Sequence, residues 1–342
     1  MQAPKQFIKL FGDKTIFQET VSRSKRLVSV NKIFVITNKD YVDEIKEQAP
    51  DIPIENIIAE PLAKNTALAM GVVAVYIHHQ DPNAVVVNFA SDHHISDLEQ
   101  FDRVVKDAFE TAFLGDNLVT IGVKPTSPHT GLGYIKIGDL FKKFEHSSIY
   151  KVDKFIEKPD IAEAEKFLKE GGYYWNANLY TWRADSILKA MELYLPKMAA
   201  QLETIRKSIG TAKEKETIKK VYEEAEEISI DFGVSEKAQN MVLVPSNFSW
   251  SDIGDWKVVY DISKKDENNN AIIFEKGKGD YVGIETKNCL IHFSNQLITT
   301  IGVDNLIIID TGDALLVASK DKAQDVKNLV ELLREKGKTE FL

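Results

Sequence analysis

The chain has 342 residues, 44% of them apolar and 28% charged, with a formal net charge of −9; it exceeds one typical domain and has the material for a buried core, so disorder is set aside. The acidity argues against a nucleic-acid partner, whose phosphates need a basic face, and requires that any bound phosphate be met by locally gathered cations. The single cysteine, Cys289, excludes an intrachain disulfide and a cysteine zinc cluster, and the absence of a ~20-residue apolar run or of a readable signal peptide predicts a cytoplasmic chain with no membrane partner.

In chain order, Lys32–Thr37 reads as a buried strand and about Tyr41–Gln48 as a polar helix. Glu55–Ala59 is a second strand, Thr66–His78 a largely apolar helix and Ala84–Phe89 a third strand. A helix then starts at Asp97, with Gln100 three residues on in a capping-box pattern and apolar residues from Leu98 to Ala112 at helical spacing. Leu118–Val123 is a fourth strand. Continuous apolar strands separated by helices predict an α/β fold, a Rossmann-like, mostly parallel sheet with helices on both faces. Such sheets bind ligands beyond the carboxyl ends of their strands. Met198–Ala225 is expected as a charged helical excursion outside the sheet, and Asp266–Asn270 as a linker. Short strands then follow at Tyr281–Glu285, Leu290–Phe293, Leu297–Ile301, Leu306–Ile309 and Ala314–Ala318. Turn residues at Asn288, Asp304-Asn305 and Thr311-Gly312-Asp313 part them, predicting a small β-helix-like domain. A last amphipathic helix, roughly Lys322–Lys336, must cover either its own β unit or a partner subunit. The expected domains are thus residues 1–265 and 266–342.

Six segments invite chemistry. Ala90-Ser91-Asp92-His93-His94-Ile95 follows the third strand, where Asp92 can hold a divalent cation against phosphate oxygens or merely cap a turn. Trp250-Ser251-Asp252-Ile253-Gly254-Asp255-Trp256 offers Asp252 as a second carboxylate on that cation, or is a surface turn packed by tryptophans. Pro4-Lys5-Gln6-Phe7 and Phe155-Ile156-Glu157-Lys158-Pro159 each set a lysine beside a proline, able to present an ammonium to phosphate or simply solvated. Thr130-Gly131-Leu132-Gly133-Tyr134 permits close backbone approach, as many plain turns do. Glu60 to Ala67 leads into a helix whose first amides can meet an anion or base edge, with ordinary capping by Asn65 or Thr66 as the alternative. The neighbouring pairs His78-His79 and His93-His94 are not natural metal clips.

Together these segments resemble the mannose-1-phosphate guanylyltransferases, members of the sugar-1-phosphate nucleotidyltransferases, in identity and order. The resemblance extends through Tyr174-Trp175-Asn176, the run from Ser229 to Lys237 that contains Asp231, and the tail from Asp310 to Val317. It implies GTP and mannose 1-phosphate as substrates, with GDP-mannose and pyrophosphate as products, and Mg²⁺ as cofactor. By that likeness Asp92 and Asp252 are the metal carboxylates and Lys5, followed by Gln6, contacts phosphate in the transition state. Glu157, Lys158 and Asn176 hold the sugar phosphate, with the turn from Gly131 through Gly133 to Tyr134 beside the sugar. Asn65 and Thr66 lie near the base, and Asp231 matches the pattern as substrate-binding or structural. A homodimer through the C-terminal domain is expected from the apolar helix near Leu329.

Two departures stand out. The family opens with a strand and a Gly-Gly-x-Gly-Thr-Arg-Leu loop upstream of Pro-Lys-Gln-Phe, whereas this sequence starts at Met1-Gln2-Ala3. A late-assigned start, a fragment or a loss of catalysis would each account for it, and without the loop nucleotide binding should be crippled and a sheet edge exposed. The alternative functions are a non-catalytic sugar-nucleotide-binding regulatory subunit, or the same reaction with another base or sugar. Asn176-Ala177-Asn178 stands where relatives carry Asn-Ser-Gly, so Asn178 should narrow the sugar pocket or adopt a positive φ.

Overall fold

A computed structural model describes residues 4–145, 147–275 and 277–341. The chain divides into two compact units: a larger one of Arg23–Ala90 and Ile95–Trp250, and a smaller one of Met1–Ser22, Ser91–His94 and Ser251–Leu342. The first helix, α1 (Ile16–Leu27), starts with a reciprocal cap: the Gln18 N–H donates to Thr15 Oγ1 (3.2 Å) and the Thr15 N–H to Gln18 Oε1 (3.1 Å).

In the larger unit the anticipated alternation is present: β1 (Val35–Asn38), α2 (Val42–Gln48), β2 (Ile57–Glu60), α3 (Asn65–Gln80), β3 (Val85–Asn88), α4 (Leu98–Phe113) and β4 (Leu118–Val123). Asp97 caps α4 by accepting from the Gln100 N–H at 3.1 Å. The Gln100 side chain does not return the bond but reaches Asn247, so the capping box is half made. The chain continues through β5 (Tyr134–Lys143), β6 (Ser148–Ile156), α5 (Ile161–Glu170), β7 (Tyr173–Arg183), α6 (Ala184–Tyr194), α7 (Pro196–Ser208), α8 (Glu214–Glu224) and β8 (Met241–Ser246).

These strands build a six-stranded sheet in the order β3-β7-β4-β8-β6-β5. β4 runs parallel to β8, β7 antiparallel to β3 and β4, and β6 antiparallel to β5 and β8. Four strands (β3, β4, β8, β5) therefore point one way and two are inserted against them. β4 is buried at every residue, in keeping with its near-continuous apolar sequence, interrupted only by the small Thr120 and Gly122. β3 has a ladder on one side only among the described residues, and β1 and β2 form a separate parallel pair.

One core cluster unites α3, α6, α7 and α8 through residues such as Leu68, Val72, Met191, Leu202 and Tyr222. A second unites α4 and α5 with the strands through Phe101, Val105, Phe167 and Val244. Gly71 lets the first group close up: a Cβ there would lie 2.6 Å from Leu202 Cδ1 and 3.0 Å from Met191 Sδ. The expected excursion at Met198–Ala225 is corrected on this point. It is two helices, broken after Ser208, whose apolar faces bury Met198, Leu202, Ile205, Val221 and Tyr222 in the core. Charged residues on their outer faces masked that stripe.

The smaller unit contains α9 (Trp256–Ile262) followed by β9 (Ala271–Phe274), β10 (Asp280–Ile284), β11 (Leu290–Phe293), β12 (Leu297–Ile301), β13 (Leu306–Asp310), β14 (Leu315–Ser319) and α10 (Val326–Glu335). β9, β11 and β13 stack in parallel with β14 antiparallel at the edge, and β10 pairs in parallel with β12. The coil turns are asparagines at positive φ: Asn269 (61°), Asn288 (54°) and Asn305 (59°). Asparagine tolerates the left-handed region, and here its amide also links coils: Asn269 donates to Asn288 (2.8 Å), Asn288 to Asp304 (2.8 Å) and Asn305 to Asp321 (2.9 Å). Asp266–Asn270, read as a linker, is instead a bonded turn: Asp266 accepts from the Asn268 and Asn270 N–H groups, and buried Asn270 donates to the Thr286 carbonyl.

Candidate active site

In the smaller unit the segments holding Lys5, Asp92 and Asp252 meet. Pro4 leads into a single turn, Lys5–Phe7, with the Phe7 N–H bonded to the Pro4 carbonyl at 2.9 Å. Phe7 is buried against Phe17 (ring centroids 5.9 Å) and anchors the turn, while Gln6 is half-buried in it. The anchored turn presents the Lys5 ammonium to Asp92 Oδ2 at 3.0 Å and to the Asp252 carbonyl at 2.6 Å. The Asp92 loop is held from below, where His94 Nδ1 lies 3.3 Å from Glu19 Oε2 and its ring packs on Phe11 at 4.4 Å. His93 is buried, with Nε2 3.8 Å from Asp92 Oδ1.

The Asp252 turn is strained. Ile253 has φ of 50°, an outlier for a β-branched residue that costs roughly 1–2 kcal/mol. Its side chain is 5% exposed within a core cluster with Leu10, Ile16 and Val259. Burying an isoleucine is worth about 1.5–3 kcal/mol, enough to hold the strained turn. Asp255 then caps α9 by accepting from the Val258 N–H at 3.0 Å. Lys5, Asp92 and Asp252, far apart in sequence, are thus one cluster.

The larger unit holds a second cluster. Glu157 directly follows β6, and Lys158 after it sits at φ 48° before Pro159, a left-handed residue rarely seen in that context. The Lys158 side chain is 64% exposed with its ammonium 3.8 Å from Glu157 Oε1, while Glu157 is only 13% exposed. Gly133 makes room for that carboxylate: a Cβ there would lie 2.5 Å from Glu157 Oε2. Burial first, and then the nearby charge of Asp231, raise the Glu157 pKa above the ordinary carboxylate range, against the pull of Lys158. The Asn176 N–H donates to the Gly133 carbonyl at 2.8 Å, which locks the two segments together. Asn176 and Asp231 are both buried, and the Asn176 amide donates to Asp231 Oδ1 at 2.9 Å.

Two expectations need adjustment, at Tyr134 and at Thr66. Tyr134 is fully buried in the core, and its hydroxyl accepts from the His129 N–H at 2.9 Å. It shapes the glycine turn instead of facing a ligand, while Gly131 lies exposed with its N–H on His129 Nδ1 at 3.1 Å. Thr66 is also engaged, accepting from the Ile230 N–H at 2.9 Å and tying the start of α3 to the Asp231 segment. Asn65 takes φ of 64° and bonds only its neighbour's N–H among its described partners, at 2.9 Å. Asn178 adopts φ of 52°, the conformation a glycine would take freely, with a β-bulge between β4 and β7 beside it.

Nothing in the local sequence pattern singled out Tyr180 or Glu19, and Ser235 and Glu236 stood out only as members of the Ser229–Lys237 run. Tyr180 and Ser235 sit behind Asp231, and Glu236 is held up in pKa by burial. Two clefts, of about 360 and 420 Å³, are lined by Gln100, Arg103, Asp107 and Tyr174, and by His78, Lys189, Glu192 and Arg206. They are open grooves without the converging lysine and acids described above, so charge geometry, not cavity size, locates the site.

The profile of the nucleotidyl transferase family matches residues 1–269, and that of a MannoseP isomerase/GMP-like beta-helix domain matches residues 279–333. The class is therefore a nucleotidyltransferase with a C-terminal β-helix unit. Mannose-1-phosphate guanylyltransferase of Klebsiella pneumoniae is 33% identical over 99% of this chain and 71% of its own length. The alginate biosynthesis protein AlgA of Pseudomonas syringae pv. tomato is 34% identical over 99% of this chain and 69% of its own length. A crystal structure from Thermus thermophilus, titled mannose-1-phosphate geranyltransferase, superposes with a TM-score of 0.82 at 28% identity, covering 97% of this chain and 92% of that one. The chain belongs to the mannose-1-phosphate guanylyltransferase family of nucleotidyltransferases. No helix among the described residues is long and apolar enough to cross a membrane.

Proposed function

We propose that this chain transfers a guanylyl group from GTP to mannose 1-phosphate, giving GDP-mannose and pyrophosphate. The observation that carries the reading is the Lys5 ammonium seated on the Asp92 carboxylate and the Asp252 carbonyl. A sugar phosphate, with a second pKa of about 6, is mostly dianionic at neutral pH, so no general base is needed. Its oxygen bonds to the α-phosphorus of GTP in line, and the bond from that phosphorus to the bridging oxygen of pyrophosphate breaks. The protein must align two polyanions and offset their charge. Lys5 does this at the nucleotide and Lys158 at the sugar phosphate, with Glu157 and Asn176 on the sugar and Asn65 near the base.

Mg²⁺ fits the residues present. Asp92 and Asp252 offer two carboxylates, on segments that Lys5 ties together. Mg²⁺ usually takes one or two carboxylates and completes its shell with water and phosphate oxygens. When bound by Asp92 and Asp252 it would supply charge neutralisation at the phosphates.

The reading extends to a cytoplasmic homodimer, with residues 1–265 as the catalytic domain and 266–342 as the assembly domain. Helix α10 buries none of its residues and leaves Leu329 and Leu332 each 42% exposed. Val282, Ile284, Leu297 and Ile301 on β10 and β12 are 54–73% exposed, an apolar strand face that a second copy would cover.

The test is pyrophosphate release by the protein expressed from its full reading frame, with GTP, mannose 1-phosphate and Mg²⁺. Release that needs both substrates, and falls at least 100-fold in Asp252→Asn without loss of fold, supports the reading. No release with any nucleotide and sugar phosphate would remove it, and release with a different pair would reassign the substrates.

A further inference from the structure

Asp231 is a buried carboxylate, 8% exposed, whose described hydrogen-bond partners are neutral. It lies on a single wide helical turn, Asp231–Ser235. Its Oδ1 accepts from the Tyr180 hydroxyl at 2.5 Å and from the Asn176 amide at 2.9 Å. With its hydroxyl hydrogen directed at Asp231, the Tyr180 oxygen accepts from Asn176 Nδ2 (3.3 Å) and from Ser235 Oγ (3.3 Å). Tyr180 is fully buried and stacked on Trp182 at 5.1 Å, so this hydroxyl cannot swing away.

We infer that Asp231, backed by Tyr180 and Ser235, is a positioning residue that turns the Asn176 amide so that its carbonyl oxygen, and no N–H, is left for the substrate. The inference rests on the proposed reading of this cluster as the sugar-phosphate site. An ionised carboxylate only accepts hydrogen bonds. Turning the amide over would set its oxygen 2.9 Å from the Asp231 oxygen, a contact between two acceptors. It would also face an NH₂ toward the Asn178 N–H, which now donates to Asn176 Oδ1 at 3.1 Å. Both amide hydrogens are thus spent on Asp231 and Tyr180. Asn176 Oδ1 keeps one lone pair.

An acceptor suits a sugar hydroxyl and repels a phosphate. Glu157, 13% exposed beside Gly133, is a second acceptor in the same cluster, while Lys158 supplies the cation. Asn176 therefore reads a hydroxyl of the sugar, which leaves the phosphate to Lys158. Asp231 exerts its effect on the sugar without touching it.

The experiment is steady-state kinetics on Asp231→Ala, Asp231→Asn, Tyr180→Phe, Asn176→Ala and the Asp231→Ala/Asn176→Ala double variant. Asn176→Ala and Asp231→Ala should each raise the KM for mannose 1-phosphate about tenfold and leave the KM for GTP within twofold. Asp231→Asn keeps an acceptor oxygen and should recover most of the loss. The double variant should be no worse than Asn176→Ala alone, because the two residues act through one bond. A double variant that loses the two factors multiplied together, or an Asp231→Ala whose kcat falls with both KM values unchanged, overturns the inference. Tyr180→Phe carries the same comparison if Asp231→Ala does not fold. Should the wild type release no pyrophosphate, the proposed function fails by itself. The same variants are then compared by calorimetric affinity for mannose 1-phosphate, where equal affinities overturn the positioning role.

Discussion

Replacing Lys5 by methionine should separate catalysis from folding. The stem of the side chain is preserved, and Phe7, 7% exposed against Phe17, still anchors the turn. What is lost is an ammonium on Asp92 at 3.0 Å and on the Asp252 carbonyl at 2.6 Å. The two side chains are 40% and 33% exposed, so the ion pair is solvent-screened and worth about 0–1 kcal/mol to the fold. A protein of this size then melts no more than about 3 °C lower. Removing a fixed donor from developing phosphate charge costs about 100- to 1,000-fold in turnover, roughly 3–4 kcal/mol. The assays are pyrophosphate release at saturating substrates and a thermal melt on the same preparation. A rate within fivefold of wild type would refute the catalytic role of Lys5. A melt lowered by about 10 °C or more, well beyond the few degrees a screened pair accounts for, would show that the lysine is mainly structural.

Gly133→Ala should raise the KM for the sugar phosphate about tenfold with an unchanged melt, because the new Cβ lies 2.5 Å from Glu157 Oε2 and must displace that carboxylate; an unchanged KM would show that Glu157 does not contact substrate. Glu60 has a pKa raised by burial, which outweighs the hydrogen bond from Tyr222. Its stabilising contribution is complete below the unfolded carboxylate range and is lost as pH rises through its folded pKa. Glu60→Gln keeps an acceptor and does not titrate, so its melting temperature relative to wild type should be higher at about pH 7–8 than near pH 4, and a gap independent of pH would refute the burial argument. Leu329→Glu with Leu332→Glu should turn a dimer into a monomer by analytical ultracentrifugation without changing the far-ultraviolet circular dichroism; an unchanged mass would move the interface elsewhere or remove it.

The parts of the fold that could be read in the sequence are those whose local pattern dictates one outcome. β4 reads as a buried strand because every residue in it is apolar or small, and α4 reads as a helix because Phe101, Val104, Val105 and Ala108 recur on one face. The coil turns at Asn288 and Asn305 were visible as asparagines because few other residues accept a left-handed φ, whereas Asn269 passed for linker. What stayed hidden depends on contacts made far along the chain. The antiparallel insertion β7 carries an irregular register and mixed burial, so neither period dominates. The apolar stripe of α7 and α8 was outweighed by their lysines and glutamates, although it reaches the core.

The same division applies to the site. Segments such as the Asp92 loop and the Asp252 turn announce themselves because an acid after a strand, or a glycine between tryptophans, is locally costly and so locally conspicuous. Their meeting through Lys5 joins residues 247 positions apart, and no single window of sequence contains it. Tyr180 shows the limit most sharply. On β7 it looks like one more aromatic core residue, and its ring is indeed buried in the largest core cluster. Only its hydroxyl, 2.5 Å from Asp231, gives it a second role. Burial that excludes water from the ring also leaves that hydroxyl no partner but the protein, so packing and polar positioning are here imposed by one side chain at once.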